Sequence, residues 1–248
     1  MDLRNGSIRK MRIFMIVLIS VITFSILVLV YNFCLAYKVE EYFPLEEGNI
    51  WNYRVSGSGE NTGDIDTVKI NGKEIINSLE TMLLIEQRGE YLCIALTPKG
   101  LEKFKFSDQV EEYSIYIPSR IILPADMDIG ETREYKINQI NYFLKSGEKW
   151  DERSVVDKIT FKAIEDVEVP AGYFKDCLRF CYDINWKQYK RNQLEYANEI
   201  HTIWYAPGVG IVKHLFYKIE YDPPPKPFWM DRKRELLSAF IKGKRIGK

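Results

Sequence analysis

Between positions 177 and 186 the chain alternates without a break. Leu178, Phe180, Tyr182, Ile184 and Trp186 are interleaved with Cys177, Arg179, Cys181 and Asp183. Successive strand side chains point to opposite faces, so a period of two specifies a strand with one buried face and disfavours a helix. The pattern recurs elsewhere. Trp51, Tyr53 and Val55 alternate with polar neighbours, Val68 and Ile70 end a run bounded by Asn71-Gly72, and segments 81–87 and 90–97 flank Arg88-Gly89 as a hairpin. In the last run Ile211, Leu215, Tyr217, Ile219 and Tyr221 share a face, interrupted by Lys213, and that face is expected to be the buried one. No stretch from 49 to 221 carries a sustained helical period. The expectation is a mainly β fold, an antiparallel sheet in one barrel-like or sandwich domain over residues 49–221.

Composition closes other routes. At 46% hydrophobic and 14% aromatic residues, the 248-residue chain is too apolar to remain disordered, and its four cysteines are too few for a disulfide scaffold of this size. Net charge is zero, but unevenly distributed: residues 1–36 carry +3, residues 37–225 carry −9 and residues 226–248 carry +6. An acidic body argues against a nucleic-acid partner.

The first basic group, Arg4, Arg9, Lys10 and Arg12, occupies a segment 1–12 expected to stay in the cytoplasm. The apolar run that follows, 13–36, is free of charge as far as Val30, and eighteen helical residues rise about 27 Å against a hydrocarbon core of roughly 30 Å. The favoured reading is an uncleaved signal anchor, a transmembrane helix with everything after Ala36 exported, joined through a linker at 37–48. Cleavage after Cys34-Leu35-Ala36 is the alternative. Lipid attachment at Cys34 is a third, disfavoured by the large residues of Tyr31-Asn32-Phe33. At the other end, Asp222-Pro223-Pro224-Pro225-Lys226-Pro227 cannot continue a ladder. Beyond it Trp229, Lys233, Leu236, Leu237, Phe240 and Ile241 fall at helical spacing, with Arg232, Arg234 and Lys242 elsewhere on the wheel. Residues 222–248 are therefore expected to form a Pro-rich link and a short basic amphipathic helix, packed on the domain or laid on an anionic surface.

Three local signatures stand out: Tyr42-Phe43-Pro44-Leu45-Glu46-Glu47-Gly48-Asn49-Ile50-Trp51-Asn52-Tyr53; Val167-Glu168-Val169-Pro170-Ala171-Gly172-Tyr173-Phe174-Lys175-Asp176-Cys177; and Trp204-Tyr205-Ala206-Pro207-Gly208-Val209-Gly210-Ile211-Val212-Lys213. As local chemistry, Pro170-Ala171-Gly172 and Ala206-Pro207-Gly208 are turns, and Gly210 permits a bulge or a close backbone approach. The large side chains Trp51, Tyr53, Trp204 and Tyr205 suit the ends of a curved sheet. A faint echo, Gly48-x-x-Trp51-x-Tyr53 against Gly130-x-x-Arg133-x-Tyr135, places strand starts near 50 and 131. In this order the three segments resemble uncharacterised exported bacterial proteins and lipoproteins of the DUF3108/TapB-like type. The resemblance spans most of 42–213. It implies a single curved antiparallel sheet or half-barrel, similar to lipoprotein-carrier folds, and it brings no catalytic residues.

Chemistry-bearing motifs are sparse. His201 and His214 lie on strands either side of the Pro207-Gly208 turn and can face each other, which is half of a metal site. Cys177 and Cys181, four apart on a strand, are about 13 Å apart and too far to bridge each other, whereas either could reach Cys93 or remain a buried thiol. Asp64-x-Asp66 and Asp126-x-Asp128 lack the remainder of a calcium loop, and Ser56-Gly57-Ser58-Gly59 lacks the setting of a nucleophile elbow. No catalytic, metal or cofactor residues are expected, and no cofactor. The favoured function is a membrane-anchored, extracytoplasmic, non-catalytic binding or scaffolding module for an apolar or lipid ligand or an envelope partner protein. An extracytoplasmic hydrolase with a dispersed site and a purely structural envelope protein are the alternatives.

Overall fold

The computed structural model describes residues 15, 19–24, 37–58, 63–86, 89–108, 111–190, 193–221 and 228–247. Of the expected anchor over 13–36, only Met15 and residues 19–24 fall within that set. They are helical, and the rest of the anchor lies outside the described residues. Among the described residues no helix is long and apolar enough to cross a membrane, which has no bearing on crossing by strands.

After one helical turn, α1 (Val39–Tyr42), the chain is a continuous antiparallel meander. Its strands are β1 (Ile50–Gly57), β2 (Ile65–Ile76), β3 (Leu79–Glu86), β4 (Tyr91–Thr97), β5 (Gly100–Ser107), β6 (Glu112–Pro124) and β7 (Thr132–Phe143), followed by β8 (Lys149–Val169), β9 (Gly172–Lys190), β10 (Gln193–Ala206), β11 (Gly210–Tyr221), β12 (Phe228–Ile241) and β13 (Lys244–Gly247). Each strand pairs with the next, and β1 also pairs with β12 from Ile50↔Phe240 to Gly57↔Arg232. The sheet is therefore a closed twelve-stranded barrel, with β13 lying along the end of β12. This corrects the half-barrel: an open sheet would leave β1 and β12 as unpaired edges, and pairing them satisfies both.

Closure also corrects the expected C-terminal helix and extends the β domain beyond 221. In β12 the register sets Arg232, Arg234 and Leu236 opposite Gly57, Val55 and Tyr53, on the inner face. A bulge opposite Asn52/Tyr53 absorbs Leu237, after which Ala239 and Ile241 are buried. The helical spacing was a coincidence of a bulged strand whose inner face carries two arginines. The Pro-rich stretch 222–227 lies outside the described residues.

Two smaller expectations are revised. Asn71-Gly72 does not turn the chain but falls at a register irregularity inside β2, between Ile70 and Lys73. The hairpin instead turns at Asn77 and Ser78, which both have positive φ (51° and 65°), the geometry that matches strand twist. In β11, beyond a bulge at Val212, the apolar set faces outward: Leu215 and Tyr217 are exposed while His214 and Phe216 face in, and only Ile211, before the bulge, lines the interior. The strand at 177–186 is as expected, with Leu178, Phe180, Tyr182, Ile184 and Trp186 all buried. Strands also start where the echo placed them, at Ile50 and Thr132.

The three sequence signatures meet at one barrel end. Tyr42 Oη donates to the Asp176 carbonyl (3.1 Å), the Gly208 N–H donates to the Glu41 carbonyl (2.6 Å) and Trp51 Nε1 donates to the Val209 carbonyl (2.6 Å). Phe43 stacks on Trp51 with ring centroids 5.8 Å apart. Residues 39–51 thus form a cap over the β8–β9 and β10–β11 turns. Gly210 sits against it with φ +98°, where a Cβ would stand 3.4 Å from Trp51 Nε1.

Gly210→Ala therefore combines a left-handed backbone with crowding of the capping tryptophan. The expected outcome is a loss of about 2–3 kcal/mol in urea unfolding, against about 1 kcal/mol for Gly147→Ala, where φ is also positive but a Cβ meets nothing within 4 Å, so the difference between the two reports the contact with Trp51.

Candidate functional site

The barrel interior changes character along its axis. Nearest the cap, Trp51, Leu178, Tyr205 and Leu236 are buried and fill the space. The register then defines a rung through Val55, Arg234, His214, Ile203 and Phe180. The next runs through Gly57, Arg232, Phe216, His201 and Tyr182, and a third joins Lys218, Glu199, Ile184 and Asp157. Strand pairing alone, then, brings two arginines, two histidines, a lysine and two carboxylates to adjacent levels of the inner wall.

The histidines meet as the sequence spacing allows. His201 Nδ1 lies 2.9 Å from His214 Nε2, with the rings stacked at 5.1 Å. His201 Nε2 is 3.5 Å from Glu199 Oε2, and Glu199 also receives a hydrogen bond from Trp186 Nε1 (3.2 Å) and lies 3.8 Å from Lys218 Nζ. Where His201 Nε2 carries the proton facing Glu199, at 3.5 Å, its Nδ1 accepts from His214 Nε2–H, so the two imidazoles pair uncharged beside a carboxylate. Burial pushes His214 down to about 3, aided by the charge of Arg232 and by His201. Burial also lowers His201, with Arg120 and Lys103 contributing and Glu199 opposing. Glu199 is pushed up by burial, but the hydrogen bond from His201 and the cations Arg120 and Lys218 outweigh this and bring it to about 2.

Around this chain are ion pairs that sequence reading did not find. Arg120 grips Asp157 through two contacts, Nε–Oδ2 at 2.7 Å and Nη2–Oδ1 at 3.2 Å, and Asp157 is 1% exposed. Arg234 contacts Asp66, lies 3.5 Å from Glu86 and stacks over the Tyr53 ring at 5.6 Å. Arg232 Nη2 is 3.7 Å from Asp66. Lys103 sits over Tyr116, 4.5 Å from the ring centroid. The signal was present as Arg232-x-Arg234-x-Leu236 and Glu199-x-His201-x-Ile203, a period of two with charges on the inner phase. It was missed because charge on a strand is ordinarily read as facing solvent.

These groups border a cavity of about 380 Å³. Phe43, Val68, Leu84, Ile94, Ile121 and Ile203 contribute apolar wall, while Lys103, Arg120, Glu199, His201, His214 and Arg234 contribute a polar side. A second space of about 170 Å³ is bordered by His201, His214, Phe216, Arg232 and Arg234, sharing three residues with the first. One wall is unusual. Past Pro118, β6 no longer pairs with β7, and its Ile122 carbonyl instead accepts hydrogen bonds from Tyr182 and from Tyr205 (3.0 Å).

The other flagged residues are dispersed. Cys93 and Cys177 are buried, Cys181 is partly buried, and all three are free thiols, so none bridges. Burial, then nearby carboxylates, pushes Cys93 and Cys177 up to about 12, which leaves both protonated. Cys34 lies outside the described residues. Of the aspartate pairs only Asp66 joins the interior. Asp126 and Asp128 stay in the loop before β7, where Arg133 binds the Asp126 carbonyl. Ser58 bonds Asp231 at the end of β1. Among the described residues no group of three or more His, Cys, Asp or Glu side chains could hold a metal ion.

A family model described as DUF3108-like matches residues 97–220. The chain belongs to the DUF3108-like family. The matched span runs from the end of β4 almost to the end of β11, so it includes both histidines and the Arg120–Asp157 pair but stops before Arg232 and Arg234. Two solved structures are similar to this family member over most of their length. One is a candidate lipoprotein from Parabacteroides distasonis ATCC 8503, 17% identical, with 81% of this chain and 98% of that one covered and a TM-score of 0.42. The other is a candidate exported protein with a YmcC-like fold from Bacteroides fragilis NCTC 9343, 14% identical, with 79% and 96% covered and a TM-score of 0.43. No curated protein matches.

Removing one member of a buried ion pair strands the other. Arg120→Met is expected to cost about 3–5 kcal/mol, and Arg120→Met with Asp157→Leu to recover most of that loss, measured as a double-mutant cycle by urea unfolding. A second expectation concerns pH. Both histidines titrate below the ordinary 6.5 when folded, so in acid the unfolded chain binds more protons and unfolding free energy falls as pH drops. Stability present above pH 6.5 should decline from about 6.5 downward, continuing toward 3 for His214, with Glu199 adding its own loss only below 4.5. A His201→Gln, His214→Gln variant should flatten the profile between pH 6.5 and 5. An unchanged slope there would place the titration elsewhere.

Proposed function

We propose that this DUF3108-like chain is a membrane-anchored, extracytoplasmic binding module whose barrel holds an apolar or lipid-derived small molecule without transforming it. The observation that carries this is the cavity of about 380 Å³ inside a closed barrel, with a largely apolar wall from β2, β3, β4 and β6. Its size falls within the roughly 300–1,000 Å³ range of small-molecule sites, and polar groups from several strands, Lys103, Arg120, His201, His214 and Arg234 among them, converge on it. Support for holding over transforming comes from the same walls. The two histidines are uncharged partners of one another, and Arg120 is committed to Asp157. Support for the compartment comes from the apolar run 13–36 behind Arg4, Arg9, Lys10 and Arg12, a charge order that keeps the N-terminus in the cytoplasm and sends the barrel out.

The test is mass spectrometry of the full chain purified from its own cells, denatured to release whatever it carries. A reproducible apolar molecule at about one per chain is expected, and it should be lost when Leu84→Trp fills the cavity without unfolding the barrel. Repeated recovery of nothing, or of the same molecules from both proteins, would overturn the reading.

A further inference from the structure

The polar side of the cavity has more donors than its own acceptors use. The Nε atoms of Arg232 and Arg234 are buried and have no hydrogen-bond partner among the described residues. Both guanidinium groups are held in place: Arg234 contacts Asp66 and has Glu86 at 3.5 Å, and Arg232 has Asp66 at 3.7 Å. One carboxylate is thus shared between two arginines on successive inward positions of β12. Buried N–H groups are almost always satisfied, and where they are not, a ligand is one of the few physical explanations. A guanidinium presents its donors as a rigid fork that matches the two oxygens of a carboxylate or phosphate. The space these arginines border, about 170 Å³, adjoins the apolar cavity through His201, His214 and Arg234.

We propose that Arg232 and Arg234 form an anion site that receives the carboxylate or phosphate head of an amphiphile whose apolar chain occupies the main cavity. This rests on the cavity being a ligand site and adds the chemistry of the ligand's head. Two features of the interior fit it. The space that the arginines border shares His201, His214 and Arg234 with the apolar cavity, so head and chain of a single amphiphile have adjoining places. The histidine pair beside the arginines is uncharged, so the two guanidinium groups and not the imidazoles supply the positive charge there.

The experiment compares head groups on the same tail. The full chain in phosphatidylcholine nanodiscs is titrated calorimetrically with decanoate, decyl phosphate, decanol and inorganic phosphate, with empty nanodiscs subtracted. Decanoate and decyl phosphate should bind on the order of tenfold or more tighter than decanol, and in an Arg232→Gln, Arg234→Gln variant that preference for the anionic heads over decanol should be lost. Equal binding of decanoate and decanol would overturn the anion site and leave interior binding intact. No binding by any of the three alkyl compounds would overturn both readings. Inorganic phosphate binding as tightly as decyl phosphate would overturn the amphiphile and assign the arginines to a free anion. The head-group comparison uses the native chain, so the anion preference is read even if the double variant fails to fold, and the single Arg232→Gln variant, expected to weaken decanoate but not decanol, then assigns it to β12; an unchanged decanoate affinity there would overturn the assignment.

Discussion

The pairing of β1 with β12 is the contact on which the rest of this structure depends. Until it forms, a twelve-strand meander is an open sheet with two unpaired edges and no inside. Once Ile50 to Gly57 lie against Arg232 to Phe240, the inner face becomes a bounded volume and the edge groups are satisfied together. The same pairing brings β12 beside β11 as well as β1, so Arg234 stands between Val55 and His214 on one rung. Closure and the assembly of the polar interior are one event.

An enclosed interior makes charge expensive to leave alone. That accounts for the way the inner ions are arranged. Asp157, nearly inaccessible, is gripped twice by Arg120, and Glu199 is surrounded by His201, Lys218 and Trp186. It also accounts for the uncharged histidine pair, since two imidazolium groups 2.9 Å apart beside Arg232 would repel strongly. The cap has a simpler task. Phe43 and Trp51 cover one end with apolar rings, and the hydrogen bonds from Tyr42 to Asp176 and from Trp51 to Val209 tie three distant stretches of chain together. The signatures that carry the family resemblance are therefore mostly the means of closing the barrel floor, and the groups that give the interior its chemistry lie outside them.

Much of the scaffold was legible. The alternation at 177–186, the turns at Pro170-Ala171-Gly172 and Pro207-Gly208, the close approach at Gly210 and the meeting of His201 with His214 all follow from local chemistry and strand spacing. The candidate site was less legible for one reason. A period of two separates residues into two faces but does not label either face as inner. In β11 the alternation predicts a buried apolar face, yet Leu215 and Tyr217 face outward while His214 and Phe216 face in. In β12 the inward arginines broke the apolar alternation altogether, and a bulge at Leu237 shifted the rest into apparent helical spacing.

By itself, then, the sequence determined a mainly β antiparallel fold, the strands it marks by alternation such as 177–186, and the turns at 170–172 and 207–208, because these rest on backbone preference and on neighbours a few residues apart. The tertiary structure alone decided that the sheet closes, which face of β11 and β12 is inner, and which charges meet across it. Arg120 and Asp157 are separated by 37 positions, and Asp66 and Arg234 by far more of the chain. Such partners are chosen by register around a closed ring, where the position of each strand depends on all the others.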